Sequence, residues 1–257
     1  TVTGLSENTT YNFRVFAFKG SNYSQLASVS ATTRSTARSV LAPPVSSAAR
    51  LMNSRTMLKG IDVSGWQGNI DFKAVKESGI DFVIVKAGES DFTVESWERN
   101  YAGAKEVGLM VGAYWYSQAV TIEEGKTEAR TFIKALSGKR FEFPVYFDIE
   151  ESKQFDLGMD FCTRLVDAFC GELENAGYCA GVYCSTYWYT NYVNDQVRVK
   201  RPTWIAEYNR ACNYGGSYGI WQHSCVGRVS GIAGDVDLNW GYIDYSKYIK
   251  ANKCSGY

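Results

Sequence analysis

Val145-Tyr146-Phe147-Asp148-Ile149-Glu150 ends an apolar run that begins at Phe143, and it ends on two carboxylates two positions apart. Side chains alternate along a strand, so a strand here projects Asp148 and Glu150 from one face. Two acids at the carboxyl end of a buried strand are costly unless something uses them. Glycoside hydrolysis uses such a pair: one group protonates the leaving oxygen, and the other attacks or stabilises the sugar centre.

Outward from this run, short apolar stretches alternate with amphipathic ones from Leu58 onward. Strands are expected at 60–64, 82–87, 109–117, 143–150, 179–184, 203–208, 219–222 and 236–240. Helices are expected at 72–78, 95–107, 122–136 and 161–176, the last with Gly177 at its end. The expected class is α/β: an irregular (β/α) barrel of eight strands with reduced helices in its second half. Chemistry in such barrels sits at the carboxyl ends of strands, where these acids fall.

Other acids join them. Asp62 interrupts the first strand and precedes the Gly-rich turn Ser64-Gly65-Trp66-Gln67-Gly68, and Asp235 and Asp237 share parity on the eighth. Strands one and eight adjoin in a closed barrel, which brings Asp62 and Asp237 together near Glu150. Crowded negative charge raises the pKa of one member and keeps an acid protonated near neutral pH. Salt bridges or caps are the plain alternative for any one of them. Parity puts Tyr114 with Tyr116 on one face, and Trp204, Ala206 and Tyr208 on one face with Glu207 on the other. Filling a barrel core produces the same alternation as lining a groove.

The N-terminal region differs. Residues 1–35 read as a small all-β fragment, with strands over 10–17 and 26–33 and a turn at Gly20-Ser21-Asn22. Residues 36–56, with Pro43-Pro44, read as a linker, and 57–250 as the main domain. The start, Thr1-Val2-Thr3-Gly4, has no Met and no signal peptide, and it reads as part of a longer chain.

Composition narrows the partners. Lys+Arg and Asp+Glu both number 27, so no basic excess points to nucleic acid. No stretch approaches the ~18 apolar residues of a membrane span. Seven cysteines show no C-x-x-C pair and do not match a zinc site; they read mostly as buried apolar groups, with a Cys212–Cys225 bridge left open. Cys179 and Cys184 have opposite parity and should face apart. His223, the one histidine, finds no G-x-S-x-G partner and reads as a structural or rim residue. No metal or cofactor is expected. The 18 Tyr and 7 Trp suit sugar faces and cores alike.

Residues 57 to 245 resemble glycoside hydrolase family 25, the lysozymes that cleave peptidoglycan as N-acetylmuramidases. The matching segments include Gly60-Ile61-Asp62-Val63-Ser64-x-Trp66-Gln67-Gly68, Gly112-Ala113-Tyr114-x-Tyr116 and Val145-Tyr146-Phe147-Asp148-Ile149-Glu150. Gly181-Val182-Tyr183-Cys184-Ser185, Trp204-Ile205-Ala206-x-Tyr208, Trp221-Gln222 and Gly234-x-Val236-Asp237-Leu238-Asn239 extend the match. The resemblance implies Glu150 as general acid, Asp148 as the group that orients or stabilises the reacting centre, and Asp62 and Asp237 as further active-site acids. It implies a groove lined by Tyr114, Tyr116, Trp204, Tyr208 and Gln222. It implies peptidoglycan glycan strands as the partner, a monomer, and a place outside the cell or at the wall. One segment departs: where the family shows Lys-x-Ser/Thr-Glu-Gly, this chain has Lys86-Ala87-Gly88-Glu89-Ser90, losing a hydroxyl and moving a glycine. Residues 1–35 resemble the last third of a fibronectin type III domain, with Tyr11 as its corner tyrosine. Two rival functions are a non-catalytic glycan-binding module and an adhesion protein acting through the fibronectin-like segment.

Overall fold

The computed structural model describes residues 57–257 in full. Before them it describes only the backbone of four strands: β1 (Thr10–Val15), β2 (Phe18–Lys19), β3 (Asn22–Tyr23) and β4 (Ala27–Thr32). β1 pairs antiparallel with β4, from Thr10 opposite Thr32 to Val15 opposite Ala27, and β2 pairs with β3. The side chain of Tyr11, the remainder of the fibronectin-like reading and the linker lie outside what is described. The chain divides into two units, Thr1–Ser39 and Val40–Tyr257.

In the second unit, β5 (Leu58–Val63) sets the pattern for the barrel. Its odd residues Ile61 and Val63 join the apolar layer between barrel and helices, while Leu58, Gly60 and Asp62 face inward. The same split runs through β6 (Phe82–Glu89), β8 (Met110–Tyr116), β9 (Val145–Asp148), β10 (Ala180–Ser185) and β11 (Thr203–Ala206). Val83 and Val85 pack outward while Phe82 and Ile84 fill the interior, and Phe147 packs outward while Tyr146 fills it. Strands buried on both faces read as continuous apolar runs, which is why the sequence shows runs rather than clean alternation. The interior is tight: a Cβ at Gly181 would lie 2.5 Å from the Tyr146 ring and 2.8 Å from the Pro202 carbonyl oxygen. Cys179 lies in the interior cluster and Cys184 in the outer one, as their parity requires.

β5, β6, β8, β9, β10, β11 and β12 (Ile220–Gly227) run parallel in that order, with the two-residue β7 (Phe92–Thr93) added beside β6. β13 (Val236–Gly241) closes the ring of eight by pairing antiparallel with both β12 and β5. A parallel crossover needs about a dozen residues or more. The segment 228–235 between β12 and β13 is too short for one, so the chain folds straight back.

The helices α1 (Phe72–Glu77), α2 (Trp97–Glu106), α3 (Ile122–Leu136), α4 (Ser152–Phe155) and α5 (Gly158–Asn175) follow the early strands. α3 begins at a capping box in which Thr121 and Glu124 satisfy each other's backbone N–H groups. It buries Gly125, Glu128, Ala129, Phe132 and Leu136 along one stripe, and α5 buries Cys162, Leu165, Val166, Phe169, Cys170 and Leu173 along another. Later helices are short, α6 (Thr186–Tyr192) and α7 (Asp195–Arg198), and none lies between β11 and β13. The last, α8 (Tyr245–Ala251), plugs the barrel from the end opposite the acids with Tyr245 and Ile249. Packing continues past it: Cys254 lies in the interior cluster, and Cys179 N–H donates to the Ser255 hydroxyl at 3.0 Å. All seven cysteines are free thiols, so no Cys212–Cys225 bridge forms. Among the described residues no helix is long and apolar enough to cross a membrane.

Candidate active site

Inward parity carried one step further up each strand builds a cavity of ≈ 180 Å³ at the carboxyl end of the parallel strands. Asp62, Asp148, Glu150 and Asp237 line it, together with Tyr114, Tyr183, Trp204, Tyr208 and Gln222. Asp62 comes from the end of β5 and Asp148 from the end of β9, while Glu150 stands two residues beyond β9 at the rim. Asp237 lies near the start of β13, but because that strand runs antiparallel its start shares the rim. Asp62 and Asp237 are direct cross-strand partners in the ladder.

Asp62 is fixed by amides. Its Oδ2 accepts from Gln222 Nε2 at 2.9 Å and from Asn239 Nδ2 at 2.7 Å. Asn239 Oδ1 in turn accepts from Trp204 Nε1 at 2.7 Å. Gln222 Oε1 accepts from the hydroxyls of Tyr183 at 2.8 Å and Tyr208 at 3.0 Å. Gln222 and Asn239 face each other across β12 and β13, so one register delivers both donors to one carboxylate. Together these bonds hold Asp62 in place for its contact with Asp237.

The acids do not behave as free carboxylates. Burial, and then the charge of Asp237, push Asp62 far above the usual range, and burial raises Asp237 as well. Asp148 is 3% exposed, and its Oδ1 has no hydrogen-bond partner. Burial, followed by the neighbouring charge of Glu150, raises its pKa strongly, against the pull of Lys86. Glu150 reaches solvent at the rim, yet the walls crowding it strip enough hydration to raise its pKa, again opposed by Lys86. The phenol of Tyr114 is raised by burial and by the charges of Asp62, Asp148, Asp237 and Glu150, which places it among all four acids.

The other expected residues divide. Trp204 is buried, packs against Tyr183 at 4.4 Å and Tyr146 at 5.3 Å, and forms the cavity floor. Tyr208 is exposed on the rim. Tyr116 does not line the cavity: its hydroxyl donates to Glu151 at 2.7 Å, and Lys86 Nζ lies 5.0 Å from its ring centre. Lys86 forms an ion pair with Glu89. His223 points away from the acids and stacks on Trp240, with ring centres 5.5 Å apart.

Sequence reasoning does not single out Tyr183 and Asn239 as site residues, although parity marks both: Tyr183 shares a face with Gly181, and Asn239 shares one with Asp237. The divergent segment also finds its reason. A Cβ at position 88 would lie 2.2 Å from the Trp115 ring and 2.5 Å from the Phe92 carbonyl oxygen, so glycine is required there by close approach. Ser90, where the family has glycine, takes a left-handed φ of 50°.

Residues 61–232 match the family described as Glycosyl hydrolases family 25. The chain belongs to this family. It is 36% identical over 184 residues to the autolytic lysozyme of Clostridium acetobutylicum, a match covering 71% of this chain and 55% of that protein. The chain thus spans about half the length of that relative. It is also similar to the crystal structure of the CTP1L endolysin, with 29% identity and a TM-score of 0.64 over 76% of this chain and 70% of that one. A muramidase from Acremonium alcalophilum superposes with a TM-score of 0.63 at 26% identity, covering 76% of this chain and 99% of that one. Membership of the family makes this barrel a glycoside hydrolase domain.

Proposed function

We propose that this chain is a peptidoglycan hydrolase of the lysozyme type, cleaving the β-1,4 bond between N-acetylmuramic acid and N-acetylglucosamine. The observation that carries this reading is the convergence of Asp62, Asp148, Glu150 and Asp237 on one small cavity, all with raised pKa values. Glu150 is the general acid. Its raised pKa keeps a proton available, and its rim position faces an entering glycan. Once it has protonated the bridging oxygen, positive charge develops at the sugar carbon, and Asp148 lies within the cavity to stabilise that charge. Asp62 and Asp237 pair across the ladder beside them. Tyr114, Trp204, Tyr208 and Gln222 bound the sugar, Trp204 from below and Tyr208 from the rim. Tyr116 serves from outside the cavity, by holding Glu151.

The same reading places the protein outside the cell or at the wall, acting as a monomer on glycan strands. It takes residues 1–35 as part of a fibronectin type III-like module, supported by the antiparallel pairing of β1 with β4. Mass spectrometry of fragments released from purified walls is the test. Wild type should release fragments with new reducing ends at muramic acid, and a folded Glu150→Gln chain should release none. Wall retention without product from wild type would favour the non-catalytic glycan binder instead, and full activity in Glu150→Gln would remove Glu150 from its role.

A further inference from the structure

Outside the acid cavity lies a second buried polar cluster, which the reaction described above does not use. Glu128 on α3 is 5% exposed, and Gln154 on α4 and Ser117 just past β8 are fully buried. Gln154 Nε2 donates to the Ser117 hydroxyl at 3.2 Å and to the Ala119 carbonyl oxygen at 3.0 Å. The Ser117 hydroxyl also accepts from Ala119 N–H at 3.3 Å, which leaves its own hydrogen for Glu128, the group it faces. Glu128 Oε1 accepts from Gln118 N–H at 3.1 Å.

The cluster is tied to the catalytic run at two points. Ser117 N–H donates to the Asp148 carbonyl oxygen at 3.0 Å. Gln154 sits on α4, the helix the chain enters directly after Glu150 and Glu151. A helix of four residues does not hold itself together, so side-chain anchors must fix it. Those anchors are Gln154 in the cluster, Phe155 stacked on Trp188 at 4.2 Å, and Cys162 Sγ, which donates to the Gln154 carbonyl oxygen at 3.2 Å. The aim of Glu150 therefore depends on the docking of α4.

That docking is sensitive to charge. Two oxygens of the cluster, Glu128 Oε2 and Gln154 Oε1, have no donor among the described residues, while the amide and hydroxyl hydrogens around them are already given. Around Glu128, Glu124 on the same helix repels an anion and Lys153 on α4 attracts one. On α5, Cys162 stays a neutral thiol, its pKa pushed up to about 11 by burial. Burial outweighs the other influences on Glu128 and pushes its pKa up to about 7. A buried anion with an unpaired oxygen is costly, and α4 is the shortest helix that closes it off from water.

We infer that Glu128 is a positioning residue for Glu150: its neutral carboxyl lets α4 dock through Gln154, and its ionised form loosens α4 and spoils the aim of Glu150. This rests on the hydrolase reading above and adds to it a brake on the alkaline side. A misplacement of about 1 Å can cost on the order of a hundredfold in rate, so a modest loosening is enough.

Hydrogen exchange read by mass spectrometry tests the docking without any turnover. The full chain is followed from pH 5 to pH 8, each rate corrected for the intrinsic chemistry of exchange. Residues 149–157 should open more readily than β6 at every pH. Their opening should rise by up to about tenfold per pH unit from about 4.5 to about 7 and then level off, since the hydrated carboxyl titrates near 4.5 and the docked one near 7. Glu128→Gln cannot ionise and should abolish that rise. In the same chains, kcat of wild type should fall between pH 5 and pH 8 by up to about tenfold more than kcat of Glu128→Gln, with KM changed less than about twofold. A flat opening in wild type, opening no easier than that of β6, or the same pH dependence in both chains would overturn the proposal. The wild-type exchange decides alone if Glu128→Gln does not fold. Absence of turnover by wild type with its exchange pattern intact would instead overturn the hydrolase reading and leave the docking of α4 under the control of Glu128.

Discussion

Replacing Asp148 by Asn should make the protein more stable while disabling it. Asp148 is 3% exposed, one of its carboxylate oxygens has no partner, and the strongest charge acting on it is another carboxylate, Glu150. A buried polar group left unpaired costs ~1–3 kcal/mol, and more when charged. Asn keeps the shape and removes the charge, so about 2 kcal/mol should return, or roughly 4–8 °C in Tm for a domain of this size. The gain must depend on pH. The folded chain holds the Asp148 proton more tightly than the unfolded chain, whose value is near the ordinary 3.8. Wild-type stability from this group is therefore fully present below that value and is lost as pH rises through the folded pKa. The advantage of the Asp148→Asn chain should be large at pH 7 and vanish below about pH 3.8. Thermal unfolding followed by circular dichroism at both pH values, beside a wall-lysis assay, reads it out. A lower Tm at pH 7, or an equal gain at both pH values, would refute the claim that Asp148 is a strained buried charge.

Two further outcomes follow from the same physics. Ser90→Gly restores glycine at a left-handed φ of 50° and should raise stability by ~0.5–1 kcal/mol, read as a small rise in the denaturation midpoint. Glu128 is buried on α3, its Oε2 is unpartnered, and burial pushes its pKa up to about 7. Wild type should lose stability from this group as pH climbs from about 4.5 to about 7, and Glu128→Gln should remove that part of the slope in denaturant titrations at several pH values.

The elements most legible in the sequence are those whose signals are local. α3 runs over the expected 122–136 because Thr121 and Glu124 announce its start, and its apolar stripe repeats at helical spacing. The eight strands stand out as apolar runs because both faces are buried, but their ends do not. β9 stops at Asp148, since the chain turns at Glu151 into α4, so Glu150 is a rim residue rather than part of the strand. Tyr116 has the parity of a groove residue, yet as the last residue of β8 it leans on Glu151 instead. Parity gives a face; it does not say how far up the barrel that face still looks inward.

The sequence by itself determined which residues of a strand share a face, because a period of two is fixed by strand geometry whatever the strand pairs with. It therefore grouped Asp148 with Glu150, Asp235 with Asp237, Tyr114 with Tyr116, and Trp204 with Tyr208. The expected closure of the barrel already brought Asp62 and Asp237 together; only the tertiary structure decided that β13 runs backwards and that Gln222 and Asn239 converge on one carboxylate. These depend on barrel closure, which joins residues as far apart as Asp62 and Asn239, and local patterns carry no record of such pairings. The raised pKa values of the acids have the same origin: each follows from burial and neighbours supplied by other strands, not from the residue's own place in the chain.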